Sequence, residues 1–315
     1  ESPFKRRHRI GVERSAWEES SHAQTYRVME VVSEIKVRYY ALLLLQEKER
    51  LFEKIAESAR AMEAIVRARA ELGEAKPLDA IKLRVEVLKA EKESTALRSE
   101  METARESLNA LLDNALAPDY SVSGTLAYIP VRIDEEELVE RALAAHPLVR
   151  AGIERLEQSR SRIGLVKGRR FPDLTLTGFT DSGLDGVNRG VAVSLAVPLW
   201  NFRSKEVAEA SLLSRASEKE LDGLRLDLAK EIRASVRRIR LAEETLSVFD
   251  DALLGEVEES LRIAEVSYRE GEISLLDFLD SQRTYNSILG DYFQALYDWN
   301  AEMAALEKAA GETIR

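Results

Sequence analysis

The chain contains no cysteine, which excludes disulfides, thiol nucleophiles and thiolate metal sites. It has only seven prolines in 315 residues and 6% aromatics, against 45% hydrophobic and 32% charged residues. Such a text, dominated by Ala, Leu, Glu, Arg and Lys, predicts long amphipathic helices. Positive charge is in deficit: the net charge of -10 argues against a nucleic-acid partner, which needs a basic patch to displace counterions from phosphates. No run approaches the ~18 apolar residues that cross a bilayer as a helix. Glu1 opens no signal peptide, so the targeting segment of an exported form is expected upstream.

Catalytic chemistry finds little to work with. His8, His22 and His146 lie far apart without ligand spacing, so no metal site is expected. Carboxylates are plentiful on the helices, but no pocket-forming pattern surrounds them and no glycine loop could cradle a phosphate. No catalytic residue and no cofactor are expected.

What is present is periodicity. Between Gly11 and Gly73 there is neither glycine nor proline, room for a helix of roughly 90 Å at 1.5 Å per residue. Within it Val28, Val31, Ile35, Tyr39, Leu42, Leu45, Phe52, Ile55, Ala59, Met62 and Val66 recur at three- and four-residue steps, the seam of a coiled coil. Gly73 can cap that helix and Pro77 suits the first turn of the next, so the chain reverses at 73–79. The return helix runs to about Asp113 on Leu78, Ile81, Val85, Leu88, Leu97, Met101, Leu108 and Leu112. After an irregular stretch with a short extended piece at 123–129, Asp134 and Glu137 make a helix start. His146-Pro147 interrupts that helix, which resumes to about Lys167.

Segments 171–180 and 191–199 have a period of two. Val191, Val193, Leu195, Val197 and Leu199 alternate with Ala192, Ser194 and Ala196, and the glycine-rich 181–190 between the segments predicts a hairpin loop. Each strand has the length of a tilted transmembrane β-strand, although a small soluble hairpin fits the same pattern. A second rod of ~100 Å is expected from Arg203 to Gly271, weakened only at Gly223 and Gly255, and a closing helix from Leu276 to about Ala310.

The second half repeats the first with a shift of ~195–198 residues, as duplicated architectures do. Leu72-Gly-Glu-Ala-Lys-Pro-Leu-Asp79 matches Glu270-Gly-Glu-Ile-Ser-Leu-Leu-Asp277. Duplication of a rod hairpin implies a quasi-symmetric assembly, for which a cylinder is the natural closed form. The resulting fold class is mainly α: very long antiparallel coiled-coil-like helices in two repeated hairpins, with a minor β-hairpin. The organisation expected is a first repeat at 1–117 with its tip at 73–79, a connector at 118–133, a second-repeat helix at 134–170, a β-hairpin at 171–200, and the second rod, tip (268–280) and return helix at 201–315.

Tyr268 to Asp280, reading Y-R-E-G-E-I-S-L-L-D-F-L-D, with Gln282-Arg283 after it, resembles the periplasmic tip of TolC-like outer membrane factors. His146-Pro-Leu-Val-Arg150, Phe171-Pro-Asp-Leu-Thr-Leu176 and Val197-Pro-Leu-Trp-Asn201 resemble that family's helix start, strand entry and strand exit. The metal and multidrug efflux subgroup is nearest. The resemblance implies a non-enzymatic homotrimeric channel in the bacterial outer membrane, with a large periplasmic portion, serving a periplasmic adaptor protein and an inner-membrane pump. It places Val191, Val193, Leu195 and Val197 against outer-membrane lipid and the acidic ring of the gate at Asp277 and Asp280. Asp79, Arg84 and Tyr268 would latch neighbouring hairpins, and Gly73 and Gly271 would form the tips that the adaptor touches. Ile273 departs from the basic latch residue of the family. The family's opening helices and first strand are absent, so Pro3 to Gly11 is expected to end a strand, giving three strands of four. The basic run Lys5 to Arg9 then reads as a solvated strand end at the membrane interface. For Asp79 and Asp277 a plainer role stands beside gating: a negative charge near a helix N-terminus is favourable by itself. Two rival readings are a periplasmic adaptor, which would show one hairpin within β-domains, and a coiled-coil scaffold, which leaves the alternating strands unexplained.

Overall fold

The computed structural model describes residues 3–183, 186–195 and 203–314. Among the described residues, seven helices and one hairpin follow in order: α1 (Pro3–Glu71), α2 (Pro77–Leu111), α3 (Glu135–Ala145), α4 (Pro147–Gly168), β1 (Leu174–Gly183), β2 (Gly186–Leu195), α5 (Ser204–Ser247), α6 (Asp251–Glu270) and α7 (Leu275–Ala310). They divide into two compact units, each drawn from both halves of the sequence.

The first unit holds residues 1–29, 134–233 and 309–312. Asp134 Oδ1 accepts from the backbone N–H of Glu136 and Glu137 at 3.1 Å each, which caps α3 as its sequence predicts. His146 is buried, and its Nδ1 accepts from the Leu148 N–H at 3.2 Å, so one side chain caps α4 where Pro147 breaks the ladder. Helix α4 makes close approaches through its glycines: Gly164 lies under the His8 ring of α1, and Gly152 lies against Leu221 and Leu224 of α5.

Residues 3–11 are helical, not the strand end expected of them. A proline is well placed in a first helical turn, and the turn is tied down by Lys5. That side chain is buried, and its Nζ donates to Phe171 O at 2.7 Å and to Asp173 Oδ1 at 2.8 Å. Lys5 therefore fastens α1 to the entry of β1 and is not solvated. Strands β1 and β2 pair antiparallel from Leu174↔Leu195 to Gly183↔Gly186, so the ladder runs into the segment expected to be loop. They are the two strands among the described residues.

The second unit holds residues 30–133, 234–308 and 313–315. Both reversals end in the same cap. Gly73, at φ 79°, donates to Ala70 O at 3.1 Å while Glu74 N–H reaches Arg69 O at 2.8 Å. Gly271, at φ 82°, donates to Tyr268 O at 3.1 Å while Glu272 N–H reaches Ser267 O at 2.8 Å. These are paired Schellman motifs, and glycine takes the left-handed conformation in each without the backbone strain that an L side chain would add. The two tips share one core: Met62 and Val66 of α1, Leu83 of α2, Ala264 of α6, and Leu275, Phe278 and Leu279 of α7. The return helices α2 and α7 follow their expected limits.

Two local expectations are corrected here, the continuity of the second rod and the seam at the start of α2. The second rod is not continuous, because α5 stops at Ser247 and α6 restarts at Asp251, away from Gly223 and Gly255. Asp250 Oδ1 caps the restart by accepting from Leu253 N–H at 2.8 Å. Residues 123–129 pair with no strand among the described residues; they are held instead by Tyr39, whose hydroxyl donates to Ser123 O at 2.7 Å, and by Asn300, whose Nδ2 donates to Ala127 O at 3.2 Å. The apolar seam assigned to the start of α2 points outward: Leu78, Ile81, Val85 and Leu88 are exposed, while Leu83, Ala90, Leu97, Met101 and Leu108 are buried. Val28 is exposed as well.

Glycine substitutions separate the two kinds of site. Gly73→Ala and Gly271→Ala are each expected to cost roughly 1–2 kcal/mol, the strain of an L-residue in the left-handed region. Gly223→Ala, inside α5 with open space around its Cβ position, is expected to stabilise by about 0.4–1 kcal/mol. Chemical denaturation followed by circular dichroism checks the opposite signs.

Candidate functional site at the hairpin tips

The reversal at 73–79 and the reversal at 271–277 lie around one core, so the residues singled out on each become neighbours. Tyr268 stacks on Phe278 with ring centroids 5.6 Å apart and planes 8° from parallel. Burial raises the Tyr268 phenol above its ordinary value, and the negative charge of Asp79 on the other hairpin raises it further, with Arg69 opposing. Asp79 thus lies within electrostatic reach of Tyr268 across the repeat.

Asp277 has a definite local partner. Its Oδ2 accepts from Ser274 N–H at 3.1 Å and from Ser274 Oγ at 2.7 Å, and Ser274 Oγ accepts in turn from Asp277 N–H at 3.3 Å. This reciprocal pair is a capping box with aspartate in its third position, so the plainer role does apply to Asp277. The Ser274 side chain, then its backbone N–H, hold the carboxyl below the ordinary aspartate range. Asp280, one turn further along α7, is exposed. Arg84 is exposed on α2 and makes no ion pair among the described residues, so it does not join Asp79 or Tyr268.

Sequence reasoning missed two features here. Phe278 is 1% exposed and sits at the centre of the shared core, one position beyond the aspartate that drew attention. Glu86 of α2 accepts from Arg283 of α7 and from Lys89, both at 3.0 Å. Its burial favours the neutral acid, yet those two hydrogen bonds outweigh burial and hold the carboxyl below the ordinary glutamate value. The only signal was Arg283 within the tip motif; its partner, almost two hundred residues earlier, has no mark in the sequence.

The hairpin offers a second surface. Leu174, Leu176, Val191, Val193 and Leu195 share one face by register and are between 54% and 71% exposed. Val197 lies outside the described residues. No helix among the described residues is long and apolar enough to cross a membrane.

Comparison with known proteins decides the lineage. Residues 138–312, more than half of the chain, match the profile of the outer membrane efflux protein family. The chain belongs to the outer membrane efflux protein family. It is 26% identical over 267 residues to the cobalt-zinc-cadmium resistance protein CzcC of Cupriavidus metallidurans, covering 82% of this chain and 63% of CzcC. The chain therefore spans less than two thirds of that relative. A crystal structure of a membrane protein from Pseudomonas aeruginosa superposes with a TM-score of 0.82 at 18% identity, over 99% of this chain and 75% of that one. The open-state MtrE outer membrane channel of Neisseria gonorrhoeae gives 0.80 at 18% identity, over 98% and 72%. The fold of this outer membrane efflux protein is that of these channels, the TolC-like fold.

The capping box makes a pH prediction. Because the folded Asp277 carboxyl titrates below its unfolded value, its stabilisation of α7 is complete above the ordinary aspartate range and is lost as pH falls through the depressed folded value. Hydrogen exchange at the Ser274 and Asp277 amides is expected to lose protection there, and Ser274→Ala is expected to abolish that pH dependence.

Proposed function

We propose that the full-length protein is the outer-membrane channel subunit of a tripartite efflux system, a passive exit duct that closes at the periplasmic hairpin tips. The observation that carries this reading is the β-hairpin, whose apolar face finds no cover. Five large aliphatic side chains standing in water forgo on the order of 1.5–3 kcal/mol each, a cost that lipid removes. A closed barrel also satisfies the outer backbone edges of β1 and β2 within a bilayer, which an isolated hairpin cannot do. In this reading Val191, Val193 and Leu195 face lipid, and Ala192 and Ser194 face a water-filled lumen.

Several copies then enclose the hole, three in the form that the family resemblance implies. Their tips bring copies of Asp277 and Asp280 around one axis, a constriction that attracts cations and repels anions. Asp79 and Tyr268 act as the contact between hairpins that must loosen on opening, with Arg84 available to a neighbouring copy. Gly73 and Gly271 mark the ends offered to a periplasmic adaptor, which joins the duct to an inner-membrane pump. The cap that Asp277 supplies to α7 does not compete with this role, since a carboxylate fixed by Ser274 is a better-placed ring charge.

The test is single-channel recording of the full-length protein in planar bilayers. Asp277→Ala with Asp280→Ala is expected to raise conductance, while Ser274→Ala, which removes the cap but keeps the charge, is expected to leave it near the wild-type value. Unchanged conductance in the double variant removes both aspartates from the gate. Equal increases in both variants assign the effect to helix fraying.

A further inference from the structure

The basic run at the start of α1 takes no part in gating, and the fold brings a second basic run against it. Lys5 binds Phe171 O and Asp173 Oδ1, so the first turn of α1 is held beside the link from α4 to β1. The Gly168 Cβ position lies 3.1 Å from Lys5 Cγ and 3.2 Å from Phe4 Cδ1, which sets that turn against the last turn of α4. Lys5-Arg-Arg-His-Arg9 and Lys167-Gly-Arg-Arg170 therefore meet at one place. Arg6, Arg7, Lys167, Arg169 and Arg170 are exposed, and none forms an ion pair among the described residues. No acidic residue occurs in 3–12 or in 162–172, in a chain whose net charge is -10. Asp173, next along, is engaged by Lys5. Arg169 borders a groove with Glu13, Glu206 and Glu209 but pairs with none of them, and Arg203 takes Glu206 at 3.0 Å.

Local structure accounts for only part of this charge. Cations in the last turn of α4 suit the negative end of its macrodipole, whereas those at the start of α1 oppose the positive end of theirs. No acidic residue stands in the first turn of α1 to offset them. Position supplies the other reason. Strand β1 begins at Leu174, only ~13 Å of extended chain beyond Arg170. The cations thus stand at the foot of the hairpin whose bare apolar face the channel reading puts in lipid. Phe4 and Phe171, 52% and 67% exposed, stand among them. Exposed aromatic rings beside cationic groups suit a surface that lies at the boundary between headgroups and acyl chains.

We infer that this collar binds anionic phospholipid in the leaflet on the helical side, its guanidinium groups on headgroup phosphates and its two phenyl rings at the acyl boundary. Cations that the protein leaves unmatched draw anionic lipid in preference to zwitterionic lipid, and a guanidinium fork matches two phosphate oxygens at once. Neutral lipid covers the apolar face of the hairpin but leaves these charges unmet. A soluble polyanion meets the repulsion of a chain with net charge -10 and leaves the aromatic rings bare. The inference rests on the channel reading, which sets where the bilayer ends, and adds a headgroup preference to it.

Native mass spectrometry of the full-length protein, in detergent with equal amounts of phosphatidylglycerol and phosphatidylethanolamine of the same acyl chains, tests the collar. The wild type is expected to retain about tenfold more of the anionic lipid. Arg6, Arg7, Lys167, Arg169 and Arg170 all changed to Gln are expected to bring the ratio near one while the protein still conducts in planar bilayers. Either pair alone, Arg6→Gln with Arg7→Gln or Arg169→Gln with Arg170→Gln, is expected to give an intermediate ratio. Lys54→Gln, Lys82→Gln and Lys92→Gln together, which remove exposed cations of the second unit, are expected to leave the ratio unchanged. Equal retention of the two lipids by the wild type, or a preference that survives the glutamine variants, overturns the inference and leaves the channel reading in place. Displacement of the anionic lipid by inorganic phosphate at matched ionic strength assigns the collar to free phosphate and overturns the lipid assignment. A wild-type protein that forms no conducting oligomer overturns the channel reading instead.

Discussion

The small core at the two hairpin tips is the contact on which the rest depends. Each hairpin, taken alone, leaves an apolar flank exposed: Met62, Val66 and Leu83 on one, Ala264, Leu275, Phe278 and Leu279 on the other. Neither can cover that flank with its own polar residues, so burial drives the two together, with roughly 1.5–3 kcal/mol gained for each large side chain removed from water. Once they meet, Asp79 comes within electrostatic reach of Tyr268 and Arg283 comes to reach Glu86. The ion pair adds little energy at its exposure. Its contribution is to fix the register in which one helix lies against another.

The two repeats are alike in plan and different in execution. Helix α1 passes unbroken through 69 residues, whereas its counterpart is divided between α5 and α6 by the turn before Asp251. Phe278 fills the core from the second repeat, while the matching position in the first is Ala80, which packs at its margin. One copy therefore offers two unlike flanks rather than two equal ones.

Much of this was legible in the sequence where a residue has one conformational use. Gly73 and Gly271 are needed because their φ is positive, and Pro147 ends α3 because it has no N–H to give. Asp134 and Asp277 declare helix starts. Less legible were the features set by partners distant in the chain. The turn at Pro3 reads as a strand end until Lys5 is seen bound to Phe171 and Asp173. The break before Asp251 contains neither glycine nor proline, and its one mark, the capping aspartate, is common in unbroken helices. Leu78, Ile81, Val85 and Leu88 have the spacing of a seam and are one in form, but periodicity does not say whether the covering surface belongs to the same copy. At the candidate site, Asp79 and Tyr268 were singled out by likeness to a family, and the electrostatic reach of one on the other follows from packing that no local pattern encodes.

Hydrogen exchange on the full-length protein tests the shared core most directly. The account predicts that the amides around Leu83 in α2 and around Phe278 in α7 open together, with one free energy, and that Phe278→Ala lowers the protection of both sets equally. If the α2 amides keep their protection while those of α7 lose theirs, the two hairpins do not share a cooperative core, and the arrangement argued from it is wrong.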